Sequence, residues 1–311
     1  MTQTVIAAIV QAAPVYYDLP ATLAKAVALI ERAAAQGAQV ITFGETWFPG
    51  YSVWLDTCRD AALWNHAPTK QVFERLYRNS VTVPGPEVDV LCQLAKQHQA
   101  VLVLGLNERV AQGAGTGTLY NTLIVIDADG RLRNHHRKLM PTYTERLVWG
   151  LGDAAGLQAV DTAVGRVGGL ICWEHWMPLA RHAMHSSGEQ IHISVFPTVH
   201  EMHQVASRQY AFEGRTFVLT AGGLATVADL PKELAPAADL SESPQKFLQR
   251  GGSAIIAPDG RYLAGPVYEQ ETILLAELDL SEIIRESMTL DVTGHYARPD
   301  IFELTVKRQR R

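Results

Sequence analysis

The 311-residue chain has only three cysteines, and nothing in its opening MTQTVIAAIVQAAP resembles a secretory leader. No cationic stretch precedes the apolar residues, and Gln11 interrupts soon after them. An odd cysteine count without a leader argues against a disulfide framework and for a reducing, cytoplasmic setting. Long apolar runs are missing too. None approaches the ~18 residues of a membrane span. Excess positive charge is likewise absent: 27 Lys and Arg stand against 32 Asp and Glu, a formal net charge of −5. That balance leaves no electrostatic footprint for nucleic acid or an anionic membrane. The one basic cluster, Lys307 to Arg311, reads as a short solvated tail. Glycine-rich phosphate loops are absent as well, because Gly113-Ala114-Gly115-Thr116-Gly117 lacks both the lysine and the helix such a loop requires.

What is present is apolar patterning. Hydrophobic residues make up 47% of the chain, enough to bury a large core. Thr4–Gln11 reads as a first strand. Leu19 to Gln36 carries Leu23, Val27 and Ile30 at helical spacing, with Asp18 as cap, Pro20 in the first turn and Gly37 as stop. Gln39–Phe43 is a short strand, Glu87–His98 a helix and Ala100–Leu106 a buried strand. Hairpins are expected at Thr118–Ile126 with Leu132–Lys138 across Asp129-Gly130, and at Ala159–Val164 with Val167–Cys172. A third is expected to pair Ser253–Ala257 with Thr272–Leu278. Helices follow from Pro178, Met202 and Ser281. Mixed αβ and ββ connections favour an α+β layered sandwich, read as one domain over residues 1–311 because no linker divides it. Residues 228–250 form the longest irregular stretch, either a cover or interface arm or a surface excursion.

Each cysteine has a packing reading to weigh against a chemical one. Cys92 falls on the apolar face of its helix with Val88, Leu91 and Ala95, where a thiol acts as a small hydrophobe. Cys58 has no base or cation beside it in sequence and reads the same way. Cys172 ends the apolar strand Val167–Ile171 and is followed by Trp173-Glu174-His175, with Pro178 opening a helix. A nucleophile at such a junction is held rigidly and flanked by free turn amides, which suit a developing anion. From that context alone, chemistry and packing are equally good readings. Glu45, set before Thr46-Trp47-Phe48-Pro49-Gly50-Tyr51, is a desolvated general base or a surface carboxylate. Lys138, within His135–Thr142, is a buried cation or part of a solvated basic run. His182 with His185, and His200 with His203, have metal-like spacing. No thiol or carboxylate completes either set, so no metal and no cofactor are expected.

Taken together, GETWFPGY (44–51), HRKLMPTYTERLVWG (136–150) and GLICWEHWMP (169–178) resemble the three motif blocks of the nitrilase superfamily of carbon–nitrogen hydrolases. The resemblance runs from the first strand to HYARPDIF (295–302). It implies a four-layer αββα sandwich, with protomers pairing through helices beside the site as a homodimer or higher homo-oligomer. It implies a Glu45–Lys138–Cys172 triad with Glu145 as a fourth catalytic residue, and it needs no cofactor. The Cys172-Trp173-Glu174-His175 context resembles the nitrile-hydrolysing branch, so the expected reaction converts a small organic nitrile to an acid and ammonia. Amidase chemistry, or hydration of a nitrile or cyanide to the amide, is the alternative. Tyr51, Trp54, Trp173 and Trp176 are the expected substrate-binding residues.

Overall fold

The computed structural model describes residues 4–240 and 243–310, so Met1 to Gln3, two residues of the 228–250 stretch and Arg311 of the basic tail lie outside the described residues. Its strands in chain order are β1 (Thr4–Gln11), β2 (Val40–Phe43), β3 (Val101–Arg109), β4 (Leu119–Ile126), β5 (Leu132–Arg137), β6 (Val160–Thr162), β7 (Gly165–Ile171), β8 (Ile191–Phe196), β9 (Phe217–Gly222), β10 (Leu224–Thr226), β11 (Phe247–Ile256), β12 (Tyr262–Tyr268) and β13 (Thr272–Asp279). The helices are α1 (Leu19–Ala35), α2 (Trp54–Thr57), α3 (Ala67–Arg78), α4 (Pro86–His98), α5 (Pro178–His185), α6 (Glu201–Gly214) and α7 (Ser281–Ser287).

Two sheets form, ordered β13-β1-β2-β3-β4-β5 and β10-β11-β9-β8-β7-β6, with β12 paired to β11. In each, three parallel strands lie at the centre: β1, β2 and β3 in one, β7, β8 and β9 in the other. Strands buried on both faces read as continuous apolar runs, which is how Ile41, Val103, Ile193 and Leu219 appear in sequence. Between the sheets, Ala7, Ile9, Val101 and Val103 interlock with Val167, Ile171, Ile193, Val195 and Leu219. Outside the first sheet, Ala26, Leu29, Ile30, Leu91 and Ala95 of α1 and α4 pack on Ile41, Leu102 and Ile124. Outside the second, Ala183, Met184, Tyr210 and Ala211 of α5 and α6 cover Leu170, Val218 and Ile256. The architecture is the four-layer αββα sandwich expected. Local chemistry sets the helix starts: the Asp18 side chain accepts from the Ala21 amide at 2.9 Å, one turn into α1.

Two expectations need correction. Ser253–Ala257 does not pair with Thr272–Leu278. Its hairpin partner is β12, and β13 instead crosses to the other sheet, antiparallel to β1 with Thr4 opposite Asp279. Gly265-Pro266 hid β12 from a sequence reading, because proline cannot donate to a ladder; at an edge that loss is tolerated. The 228–250 stretch is not a bland surface excursion. Leu230, Leu234 and Leu240 are buried with Trp54, Cys58 and Leu76. The Arg59 amide donates to the Ala235 carbonyl and the Ala237 amide to Thr57, while Arg75 pairs with Glu233 at 2.9 Å. Cys58 and Cys92 both pack against apolar neighbours, in keeping with the bland reading of each.

Gly105 of β3 lies directly under the turn that follows β2. A Cβ there would stand 2.2 Å from the Gly44 carbonyl oxygen, 2.7 Å from the Thr46 nitrogen and 3.0 Å from Glu45 Cα. All are backbone atoms, which cannot swing aside. Gly105→Ala is therefore expected to lower stability by about 1–3 kcal/mol in urea unfolding and to displace Glu45. Unchanged stability would mean that the turn yields freely.

Candidate active site

Three turns, each following the carboxyl end of a strand, converge at one site. One follows β2 and carries Glu45, one follows β5 and carries Lys138, and one follows β7 and carries Cys172. Thr46, Tyr143 and Cys172 adopt left-handed φ values of 45°, 43° and 53°, so the backbone is strained beside Glu45, two residues before Glu145 and at Cys172 itself. Cys172 opens a single 3₁₀ turn, Cys172–Trp176, rather than continuing the strand.

Lys138 is the hub. Its Nζ donates to Glu45 Oε1 at 2.9 Å and to Glu145 Oε2 at 2.6 Å, with every side chain almost wholly buried. Glu45 Oε1 also accepts from Asn121 Nδ2 at 2.6 Å. Its other oxygen, Oε2, is buried with no partner. A carboxylate oxygen from each glutamate and the Cys172 sulfur lie within 4.8 Å of one another. Those three could in principle hold a cation, and the Lys138 ammonium already supplies the positive charge they surround. Glu145 caps its own 3₁₀ turn by accepting from the Thr142 amide at 2.7 Å, and it accepts the Tyr51 hydroxyl at 2.8 Å. The structure thus brings together Glu45, Lys138, Glu145 and Cys172.

The electrostatics depart from one simple expectation. A neighbouring cation ordinarily lowers a thiol pKa, and Lys138 does act in that direction. Burial and the Glu45 and Glu145 charges outweigh it, so the Cys172 thiol is pushed well above its usual range. The resting group is a thiol rather than a preformed thiolate. Burial also raises the Glu45 carboxyl, against the pull of Lys138, to about 7. Burial alone would pull Lys138 down, but Cys172, Glu45 and Glu145 together raise it, and it stays charged. These groups titrate as one coupled set.

A cavity of about 820 Å³ opens above this cluster. Cys172, Glu145 and Tyr51 form its floor, and Val53, Met140, Trp173, Pro197 and Leu248 supply apolar wall. Polar side chains at the rim include Asp56, Arg146, His200, His203 and Gln249. Of the four residues expected to bind substrate, Tyr51 and Trp173 line this cavity. Trp54 does not: it is 1% exposed, packed among Val53, Cys58 and Leu76 in a satellite core. Trp176 also stands off the lining, tilted against Trp173 and edge-on to the Phe196 and His203 rings. Aromatic composition suggested all four, but only packing separates wall from core.

Sequence reasoning missed two supports. Asn121 was legible only as a polar residue inside the apolar run of β4. Glu174 lay in a quoted motif without a role. It is 1% exposed and accepts from the Ile171 amide and the Leu139 amide, each at 2.7 Å, and from His136 Nε2 at 3.0 Å. One carboxylate therefore clamps the turn bearing Cys172 to the residue after Lys138. The metal-like histidine pairs separate: His200 and His203 face the cavity, whereas His185 is buried beside Glu189 and Tyr210.

The carbon–nitrogen hydrolase family model matches residues 6–285. A bifunctional nitrilase/nitrile hydratase of Nicotiana tabacum is 39% identical over 309 residues, spanning 98% of this chain and 87% of its own length. An aliphatic nitrilase of Sinorhizobium fredii is 40% identical over 301 residues, spanning 96% and 94%. Among solved structures, a carbon–nitrogen hydrolase from Helicobacter pylori superposes with a TM-score of 0.71 at 19% identity, over 97% of each chain. An amidase from Nesterenkonia sp. superposes at 0.62 with 16% identity, over 93% and 95%. At those identities the structural likenesses speak to the fold.

The charge balance around Cys172 is measurable. Glu45→Gln removes a nearby negative charge, so the thiol pKa is expected to fall. Lys138→Met removes the opposing positive charge, so it is expected to rise. Thiolate absorbance or iodoacetamide rates followed against pH read both shifts. Shifts of the opposite sign would overturn this electrostatic account.

Proposed function

Because the chain belongs to the carbon–nitrogen hydrolase family, we propose that it is a nitrilase, converting an organic nitrile to the carboxylic acid and ammonia through a covalent adduct on Cys172. The observation that carries this reading is a strained cysteine within 4.8 Å of carboxylate oxygens of Glu45 and Glu145, which are themselves joined by the buried Lys138 ammonium. Nitrile rather than amide chemistry is supported by relatives named nitrilases at 38–40% identity over nearly the whole chain.

A nitrile carbon is a weak electrophile and calls for a polarizable nucleophile together with stabilisation of the charge that grows on nitrogen. Glu45 Oε2, the oxygen without a partner, takes the Cys172 proton as sulfur attacks the nitrile carbon. Deprotonation at the moment of attack suits a thiol held high and a base near 7. Lys138 and the Trp173 amide, which already donates toward the sulfur, stabilise the nitrogen anion. Proton return from Glu45 gives the thioimidate. Water, deprotonated by Glu45, adds to the same carbon, and protonated nitrogen leaves as ammonia to give a thioester. A second water releases the acid and restores the thiol. Glu145, held by Tyr51 and the Thr142 amide, fixes Lys138 between the two carboxylates.

If the tetrahedral adduct instead expels sulfur, the product is the amide. That second outcome has support in the relatives named bifunctional nitrilase/nitrile hydratases. The cavity, with apolar wall and polar rim, suits a nitrile with a bulky or arylaliphatic body.

A second copy of the chain is the proposed protein partner. Leu179 of α5 and Met202, Val205 and Phe212 of α6 are exposed on the helical layer beside Cys172, apolar surface of the sort that marks an interface. Among the described residues no helix is long and apolar enough to cross a membrane. The three free thiols fit a reducing compartment such as the cytoplasm.

A panel of nitriles and their matching amides, followed for ammonia, acid and amide, tests the activity. Acid and ammonia are expected from nitriles, with Cys172→Ala lowering turnover by at least about 10³-fold. The sign of the pH dependence follows from Glu45. Its raised pKa leaves it protonated and unable to accept a proton below about 7, so kcat/KM should climb as pH rises through that value. Turnover of amides alone would reassign the substrate. Light scattering should find a dimer or larger; a monomer at working concentration would remove the proposed interface.

A further inference from the structure

Beneath Cys172, on the side away from the cavity, lies a buried polar chain that the reaction described above does not use. His175 Nδ1 stands 2.7 Å from the Cys172 carbonyl oxygen. His175 Nε2 stands 3.0 Å from His192 Nε2, and His192 Nδ1 stands 2.8 Å from Glu189 Oε2. Tyr210 donates its hydroxyl to Glu189 Oε1 and stacks on the His192 ring at 3.7 Å. His175, Glu189, His192 and Tyr210 are all buried.

Counting protons along this chain leaves little freedom. A carbonyl oxygen only accepts, so His175 Nδ1 carries a proton. A carboxylate only accepts, so His192 Nδ1 carries one. The nitrogen-to-nitrogen bond between the rings needs a third. Two neutral imidazoles hold two protons, so this pair holds one more than neutrality allows. The alternative, a protonated Glu189, runs against its surroundings: its Oε1 accepts the Tyr210 hydroxyl with the His185 ring 3.4 Å away, and its Oε2 faces the His192 ring. Of the two rings only His192 touches a carboxylate, through Nδ1 to Glu189 Oε2, whereas His175 faces a carbonyl, so the extra charge is placed on His192.

The geometry points to a function for this relay. The Cys172–Trp173 peptide is trans, so its C=O and N–H point in opposite directions. Holding the carbonyl down toward His175 aims the Trp173 N–H up at the sulfur, where it already donates. We infer that His175, backed by an imidazolium at His192 and the Glu189 carboxylate, is a positioning residue that locks this peptide plane and so turns the Trp173 amide into the anion-stabilising donor. A hydrogen bond received by a carbonyl polarises its own peptide, strengthening the N–H at the other end. The lock also holds Cys172 at its left-handed φ of 53°. The titratable groups facing His192 are His175 on the 3₁₀ turn and Glu189 ahead of β8, with Tyr210 on α6 and His185 on α5. His185 lies 3.4 Å from Glu189, and Arg181 closes the assembly by donating to the His175 carbonyl at 3.0 Å.

This inference rests on the nitrilase reading for its kinetic half only. The first measurement is the ring-proton count by ¹⁵N–¹H correlation on the full-length protein with labelled histidine, assigned by His175→Asn and His192→Gln. Three protons across the pair are expected near neutral pH. Glu189→Gln keeps the chain of hydrogen bonds, because its amide nitrogen can donate to His192, yet removes the charge; the pair should then hold two protons. Two neutral rings in the wild-type protein would overturn the inference, even if no nitrile is ever turned over. Kinetics gives the second readout. His175→Phe should lower kcat by about 10- to 100-fold with KM little changed. His175→Asn, whose amide nitrogen occupies the place of Nδ1, should recover most of that loss. Equal loss in both variants, or a change confined to KM, would show that His175 does not position the amide.

Discussion

A single ammonium group organises this site. Lys138 Nζ lies within hydrogen-bond reach of two buried carboxylates, and moving such charges out of water costs on the order of several kcal/mol per ion. A well-packed apolar trio of similar volume would stabilise the fold as well or better. What the ions provide instead is a set of linked protonation states. Glu45 is lifted to about 7, Lys138 stays charged, and Cys172 remains protonated until a base acts on it. Remove the ammonium and two carboxylates would face each other and a thiol in a dry pocket, and at least one would have to take up a proton.

The rest of the molecule can be understood as the means of holding that ammonium, its partners and the sulfur in place. Both sheets contribute, and the apolar layer between them fixes their relative position. Gly105 lets the Glu45 turn lie against β3 without a side chain between them. Asn121 holds Glu45 from β4, and Tyr51 holds Glu145. Glu174 joins the ends of β5 and β7 through two backbone amides and His136, linking the lysine segment to the cysteine turn across the sheet interface. Below the turn, His175, His192 and Glu189 hold the opposite face of the same peptide. Cys172 is thus gripped from both sides by buried polar groups whose hydrogen bonds limit their alternatives.

Much of the fold was legible in advance because its elements follow local rules. Asp18, Pro20 and Gly37 bracket α1, and Asp129-Gly130 closes the β4–β5 hairpin. The expected β11–β13 hairpin failed for a different reason. Pairing between β13 and β1 joins residues 4 and 279, and local patterning carries no information about such a partner. The aromatic cluster divided in the same way. Trp54 and Trp173 have similar chemistry, yet one is core and the other cavity wall, because burial depends on what packs above them rather than on their own sequence.

From the sequence alone, Glu45, Lys138, Glu145 and Cys172 could be named and the layered α+β class assigned, because motif blocks and apolar periods are properties of contiguous residues. Only the tertiary structure decided their charges. In the sequence Lys138 and Cys172 stand 34 residues apart and carry no charge relation; burial beside two carboxylates, against the pull of Lys138, is what raises the thiol. Likewise, Glu189 and His192 are ordinary polar residues in the sequence, 14 residues or more beyond His175. Their alignment under Cys172 exists only once β8 lies beside β7 and α6 closes over both, because hydrogen bonding and desolvation act through space.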